Sequence, residues 1–276
     1  VNRYGFEKNK LELNQFKKIL DYSKNKKIKI SIDTALGYNF AVNALKKLKI
    51  SNNKITNKIP AIKNETDKKK ILKALSEQKK LFNIKIFHII LAHNENYFLN
   101  RYSQLNINFL TYLKKNKYTK KIGISIYSLE NLNKILKKFR PDYIQVPANI
   151  FDKRFLDKNF KKRMKKLSIK IQYRSIFLQG VLARNKIPTN INFDKISINS
   201  LNKYYSWSDK KNMTPLKACL NFVYLKRLKN VVIGVNSFEQ FKEIINFNYK
   251  KISFPDFNIK QSDKNLLLRM DKWKKN

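Results

Sequence analysis

The chain has 276 residues, 42% of them hydrophobic and 13% aromatic, with six prolines and five glycines, so a packed core is expected and a collagenous, linker-dominated or wholly disordered chain is excluded. Its formal net charge is +42, from 61 Lys+Arg against 19 Asp+Glu. One cysteine and two histidines exclude a disulfide framework and any Cys-rich or His-rich metal site.

Apolar periodicity along the chain predicts helices and strands in alternation. An amphipathic helix at 11–22 precedes a strand at 28–33, where Ile28, Ile30 and Ile32 alternate with polar residues. A helix at 41–48, a short strand at 54–59 and a helix at 68–81 come next, then a buried strand at 84–92. Helix 97–114 leads to strand 121–127, helix 129–139 to strand 143–146, and helix 155–167 to strand 169–177. Helix 215–228 leads to strand 231–235, and helix 238–247 to a tail, about 258–276, with helical signals at 264–274.

Seven strands each followed by helical material imply parallel β-α units. A helix with no strand before it implies one incomplete unit. The expected fold is therefore a (β/α)8 TIM barrel in one domain over 1–276, its first strand missing from a sequence that begins at Val1 and expected in an upstream extension. A doubly wound open sheet is the alternative, but its Gly-rich turn, G-x-G-x-x-G, does not occur.

The charge is broad rather than local. Of the 61 cationic residues 52 are lysine, spread from end to end. Nucleic-acid binders gather arginine and aromatics on one face, so no specific nucleic-acid partner is expected, although such a surface attracts phosphates in general. The longest apolar stretch, 84–92, is too short to span a bilayer and contains Lys85 and His88. No signal peptide opens the chain, and a cytoplasmic protein with no membrane partner is expected. Self-repulsion at this charge favours a monomer.

Three strand ends carry candidate chemistry. Asp33 closes its strand and is followed, five residues on, by Tyr38; Lys58 lies at the end of the next strand; His93 closes the apolar run Phe87–Ala92. Adjacent strand ends in a parallel barrel lie about 5 Å apart, within reach of one another's side chains. Each residue alone has an ordinary structural explanation: a cap, a packed aromatic, one lysine among many, a satisfied histidine. His88, in mid-strand, is expected to be such a histidine.

In order and approximate spacing Asp33, Tyr38, Lys58 and His93 resemble the tetrad of the aldo-keto reductases. Lys121-Ile122-Gly123-Ile124-Ser125 is similar to the family's K-x-G-[VI]-S strand, and Ile144-Gln145-Val146-Pro147-Ala148-Asn149 to its x-Q-x-x-x-N strand end. Arg174-Ser175-Ile176-Phe177-Leu178-Gln179-Gly180-Val181-Leu182 resembles bacterial members encoded with surface-polysaccharide genes. Val232-Ile233-Gly234-Val235-Asn236-Ser237-Phe238-Glu239-Gln240 is similar to the cofactor loop after the last strand.

The resemblance implies an NAD(P)H-dependent reductase of aldehydes or ketones, with a small carbonyl substrate, a sugar derivative among the candidates. Tyr38 would be the general acid. A phenol is a poor acid at neutral pH, and a neighbouring ammonium, Lys58, would strengthen it. Asp33 would anchor Lys58, and His93 would position and polarise the carbonyl. Ser125 and Gln145 match the positions that hold the nicotinamide carboxamide, although Ile126 stands where many relatives have Asn. Arg174 replaces a stacking tyrosine; a guanidinium plane stacks as well, or contacts phosphate. Asn236, Ser237 and Gln240 match the segment that binds the adenosine phosphate, and Ser237 with Gln240 also reads as a helix capping box. Gly234 and Gln240 occupy places where many relatives carry cations for the 2′-phosphate. NADPH is the expected cofactor, with NADH not excluded, and no metal is expected. Tyr204, Tyr205 and Trp207, in the long segment after Gly180, are candidates for a pocket wall. The alternative is a catalytically silent barrel that binds nucleotides or anionic polymers through its basic surface.

Overall fold

The computed structural model describes residues 12–38, 45, 47–48, 50, 54–257, 259–262, 265–270 and 273. Six strands form one parallel sheet in sequence order: β1 (Ser31–Asp33), β2 (Lys54–Ile59), β3 (Phe87–Ala92), β4 (Thr119–Ser125), β5 (Tyr143–Pro147) and β6 (Lys170–Arg174). Helices α1 (Leu13–Asn25), α2 (Glu65–Leu81), α3 (Ser103–Lys115), α4 (Leu129–Leu136), α5 (Lys158–Lys166), α6 (Lys195–Lys210), α7 (Pro215–Leu225) and α8 (Phe238–Ile245) accompany it. The observed architecture is thus α/β with a six-stranded parallel sheet, where seven strands were expected. The helix expected at 41–48 falls largely outside the described residues.

Several boundaries differ from the sequence pattern for local reasons. Strand β1 starts at Ser31, not Ile28, because Lys27 turns with φ 55° and the Ile28 amide donates to the Ser23 carbonyl, closing the end of α1. Strand β3 starts at Phe87 because Asn83 (φ 52°) and the Ile84 amide, donating to Lys79, wrap the end of α2. The expected helix 97–114 is broken into a 3-10 turn, Glu95–Phe98, and α3, with Asn100 accepting from the Tyr102 amide and the Ser103 hydroxyl donating to the Phe98 carbonyl.

The seventh strand, expected at 231–235, is reduced to a parallel bridge between Tyr173 and Val231. Its would-be partner β6 stops at Arg174, because Ser175 turns with φ 63°. Beyond that residue β6 offers no extended backbone to pair with, and a strand without a ladder is not held. The tail holds a single 3-10 turn, Leu266–Leu268, among its described residues.

Contacts divide the chain into two compact units. The first holds residues 11–145 and 164–171. Here Ile89, Leu91 and Tyr143 cluster on one face of the sheet, while Leu75, Leu113, Leu132 and Ile135 from α2, α3 and α4 are buried with no measurable exposure. Helix starts are specified locally: Asn64 accepts from the Asp67 amide ahead of α2, and Ser128 from the Asn131 amide ahead of α4. The second unit holds 146–163 and 172–276. Its core is aromatic: Tyr204 is fully buried, with ring contacts to Phe151, Trp207 and Phe257 and its hydroxyl 2.8 Å from the Leu182 and Pro215 carbonyls. Tyr204 and Tyr205 therefore belong to the core rather than to a pocket wall. They lie on α6, a helix the sequence pattern did not reveal. Burial raises the Tyr205 hydroxyl well above the ordinary range and the Cys219 thiol to about 12, so both stay protonated at neutral pH.

His88, the second residue of β3, is half-buried. Its own burial, then the ammonium groups of Lys54, Lys120, Lys170 and Lys121, push its pKa below 6.5. The unfolded chain consequently takes up this proton at a higher pH than the folded one. Between the unfolded value and the lower folded value, stability falls as pH falls. His88→Gln is expected to flatten the decline of Tm between pH 7 and pH 5; an unchanged slope would show that His88 does not contribute to it.

Candidate active site

The first unit gathers six of the predicted residues at the C-terminal ends of its strands. Asp33 is in register with Thr56, and the ladder runs on past both strands: the Thr34 amide donates to the Thr56 carbonyl and the Leu36 amide to the Lys58 carbonyl. A turn closed by the Tyr38 amide on Ala35 then follows (3.0 Å). On the other side of β2, the His93 amide donates to Ile59, extending the β2–β3 pairing to the histidine. Backbone ladders alone thus bring Asp33, Tyr38, Lys58 and His93 to neighbouring positions.

Side-chain contacts follow. The Lys58 ammonium is hydrogen-bonded and ion-paired to Asp33 Oδ1. Gln145 Nε2 donates to the other carboxylate oxygen, Oδ2, at 2.8 Å. Lys58 is 6% exposed and is the only buried lysine among the described residues. With 52 lysines in the chain, that burial is the informative fact: an ammonium leaves water only where a partner compensates. Tyr38, half-buried, meets His93 ring edge to face at a centroid distance of 6.1 Å and an interplanar angle of 82°. His93 is exposed, whereas the Lys58 and Asp33 side chains of the ion pair retain only 7% and 19% exposure.

Ser125, the last residue of β4, and Gln145, in the middle of β5, are register partners, 4% and 1% exposed. Two residues earlier, Gly123 is paired with Tyr143. A Cβ on Gly123 would collide with the Tyr143 carbonyl oxygen and approach Leu91 Cδ2 to 2.6 Å, so only glycine allows the strands to close here. A buried hydroxyl and a buried amide side by side on neighbouring strands suit a carboxamide ligand, which offers both a donor and an acceptor.

The remaining predicted residues lie in the second unit. Arg174 ends β6, half-buried, with Nη1 3.1 Å from the Ser175 hydroxyl. Tyr173 faces a buried environment that raises its pKa to about 12. Gly234 lies in the stretch after Val231, outside any regular strand. Ser237 caps α8 by accepting from the Gln240 amide (3.1 Å), and Gln240 Oε1 accepts from the Asn236 amide (2.8 Å). The side-chain oxygens of Ser237 and Gln240 are thereby used to order the turn at the start of α8.

A second role for Gln145 and one further side chain, Glu95, are not apparent from sequence. Gln145's second role, holding Asp33, joins residues 112 positions apart. Glu95, 4% exposed, accepts hydrogen bonds from the loop after β4. Among the described residues, no three or more His, Cys, Asp or Glu side chains are grouped so as to hold a metal ion, and no helix is long and apolar enough to cross a membrane.

Residues 4–265 match the profile of the aldo/keto reductase family. Similar solved structures include a holo aldo-keto reductase, AKR11C1, from Bacillus halodurans (16% identity, covering 87% of this chain and 85% of that one, TM-score 0.67). The glycerol dehydrogenase AKR11B4 from Gluconobacter oxydans is similar too (13%, 93% and 85%, TM-score 0.61). So is a mutant of Gox0644 in complex with NADPH (16%, 86% and 79%, TM-score 0.58). At these identities the structural likenesses speak for the fold alone. A search of curated proteins gives no match.

Proposed function

This chain belongs to the aldo/keto reductase family, and from that premise we propose that it reduces an aldehyde or ketone to an alcohol with NADPH, NADH being the second candidate. A sugar derivative is among the carbonyl substrates the reading admits. We further read the chain as one cytoplasmic, monomeric (β/α)8 barrel domain, residues 1–276, with a tail at 258–276.

The observation that carries the reading is the buried Lys58 ammonium paired with Asp33, on strand ends whose backbone ladders also carry the paired Tyr38 and His93 rings. In this scheme Tyr38 Oη holds the proton that the carbonyl oxygen receives. Lys58 supplies the positive charge that makes a phenol a usable acid. Asp33 keeps the ammonium in place, and Gln145 keeps Asp33 in place. His93, at the solvent side, orients the incoming carbonyl and donates toward its oxygen. Ser125 and Gln145 would hold the carboxamide of the nicotinamide, and Asn236, Ser237 and Gln240, at the start of α8, an adenosine phosphate. Arg174 would stack on the ring or meet phosphate. A bound reduced nicotinamide supplies the hydride that turns the carbonyl carbon into an alcohol carbon.

Tyr38→Phe tests the assignment. The variant is expected to bind NADPH like the parent while turnover of a panel of small aldehydes falls about 10²–10⁴-fold. Binding is read from quenching of protein fluorescence, with NADPH and NADH titrated at moderate and then high salt. Saturation that survives salt marks a shaped site, and the tighter dinucleotide gives the preference. Binding that fades with salt equally for both dinucleotides would mean nonspecific charge attraction and would overturn the reductase reading.

A further inference from the structure

Among the described residues, two carboxylates are buried to 4% or less, and they differ in kind. Asp152, 1% exposed, is paired with Arg154. Glu95, 4% exposed, meets no cation: its hydrogen bonds come from the Tyr127 amide and the Ser128 amide (3.1 Å) on Oε2, and from Asn131 Nδ2 (2.6 Å) on Oε1. Three neutral N–H groups at a helix start are a competent anion site, since the amides before and at the N-cap of α4 have no partner inside the helix.

The acceptor for the Tyr127 and Ser128 amides is not supplied locally. Ser128 already caps α4 through the Asn131 amide. Glu95 reaches α4 from another loop, two residues after His93, where Asn94 fixes the turn by accepting from the Asn96 amide. The loop it grips runs from Ser125 through Ile126 and Tyr127 to Ser128. Its near end is tied to β5 by the Ile126 amide on the Gln145 carbonyl (2.9 Å). Glu95 therefore fixes the loop carrying His93 against the loop carrying Ser125.

We infer that Glu95 is a positioning residue for carbonyl reduction, setting the distance between the donor that orients the carbonyl and the donor that holds the nicotinamide carboxamide. The inference rests on the reductase reading given above. It matters more here because Ile126 has no side-chain hydrogen bond to offer, so Ser125 alone from this loop holds the carboxamide. Losing the latch should loosen both contacts and leave the acid, Tyr38 with Lys58, untouched.

The test compares Glu95→Ala, Glu95→Gln and Ser128→Ala in the full chain. Glu95→Ala should lose amide-exchange protection at Tyr127 and Ser128, weaken NADPH binding about tenfold and raise the KM for an aldehyde. The Tyr38-dependent limb of the pH–rate profile should not move. Glu95→Gln keeps an oxygen for the two amides, and Asn131 can turn its own carbonyl toward the new NH₂, so protection and affinity should return to within about threefold. Ser128→Ala removes only the local cap and should lower Tm with NADPH affinity within about twofold. Should Glu95→Ala fail to fold, Glu95→Asp retains the charge but withdraws it by one methylene, and the same losses are expected.

Unchanged NADPH affinity in Glu95→Ala or Glu95→Asp, with a lower Tm only, would make Glu95 a structural cap and overturn the inference. If the parent protein itself shows no salt-resistant NADPH binding while Tyr127 and Ser128 remain protected, the latch exists but the reductase reading fails, and the role for Glu95 falls with it.

Discussion

Lys58→Met is expected to leave a folded protein whose carbonyl reduction is about 10²–10⁴-fold slower than the parent's, with stability lowered by about 2–3 kcal/mol. The two effects have separate causes. Turnover falls because Tyr38, the proposed acid, loses the positive charge proposed to strengthen it. Stability falls because the Asp33 carboxylate keeps Gln145 Nε2 but loses its counter-charge. The loss stays below the ~3–5 kcal/mol of a fully enclosed pair because the Asp33 side chain retains 19% exposure and can be hydrated. A second change separates them further. In Asp33→Asn with Lys58→Met, the uncompensated carboxylate is gone, so most of the lost stability should return while turnover should not. Denaturant unfolding and aldehyde-dependent NADPH oxidation on the two variants provide the comparison. Turnover within tenfold of the parent in Lys58→Met would remove Lys58 from the chemistry. Equal instability in the single and double variants would mean that lost packing, not charge, sets the cost.

Much of this geometry is legible in the sequence because it depends on strand ends. The sequence pattern places strand β2 at 54–59, as observed, and the starts of strands β1, β3, β4 and β5 within three residues. In a parallel sheet taken in sequence order, consecutive strand ends are neighbours, so Asp33, Lys58 and His93 had to come together once the β-α order was recognised. What the sequence concealed depends on residues distant in the chain or on backbone conformations its letters do not declare. Gln145 on β5 and Asp33 on β1 meet although three strands separate theirs in the sheet order. Glu95 acts on a loop more than thirty residues downstream, and a single buried Glu has no periodic signature. The positive φ of Ser175, which ends β6 and leaves Val231 with only a bridge, occurs at a residue with no preference for that region. Helix α6 does not stand out in the sequence pattern, and its Tyr204 and Tyr205, candidates for a pocket wall by sequence, are interior packing in a unit whose core is built of aromatic rings.

Gly123→Ala should be the most damaging single-methyl substitution in the first unit. Leu91 Cδ2, at 2.6 Å from the added methyl, ends a side chain that can rotate away. The Tyr143 carbonyl oxygen cannot, because it belongs to the backbone of β5 and the two residues are register partners. Strands β4 and β5 must therefore move apart at this pair. Two residues further on, the same ladder sets Ser125 beside Gln145, and Gln145 holds Asp33. The displacement is thus delivered to the proposed carboxamide donors and to the anchor of Lys58 together. Overpacking of this kind costs about 2–3 kcal/mol, which in a chain of this size lowers Tm by roughly 5–10 °C. NADPH affinity should fall with it. Gly37→Ala is the control: a methyl there meets nothing within 4 Å, although the glycine adjoins Tyr38, so both stability and affinity should stay near the parent's. If Gly123→Ala binds NADPH as the parent does, the strands have absorbed the methyl without shifting Ser125 and Gln145, and the ladder is not what positions them. If Gly37→Ala is equally damaging, the glycines of this unit are required for backbone freedom, and the close approach of β4 to β5 is not the cause.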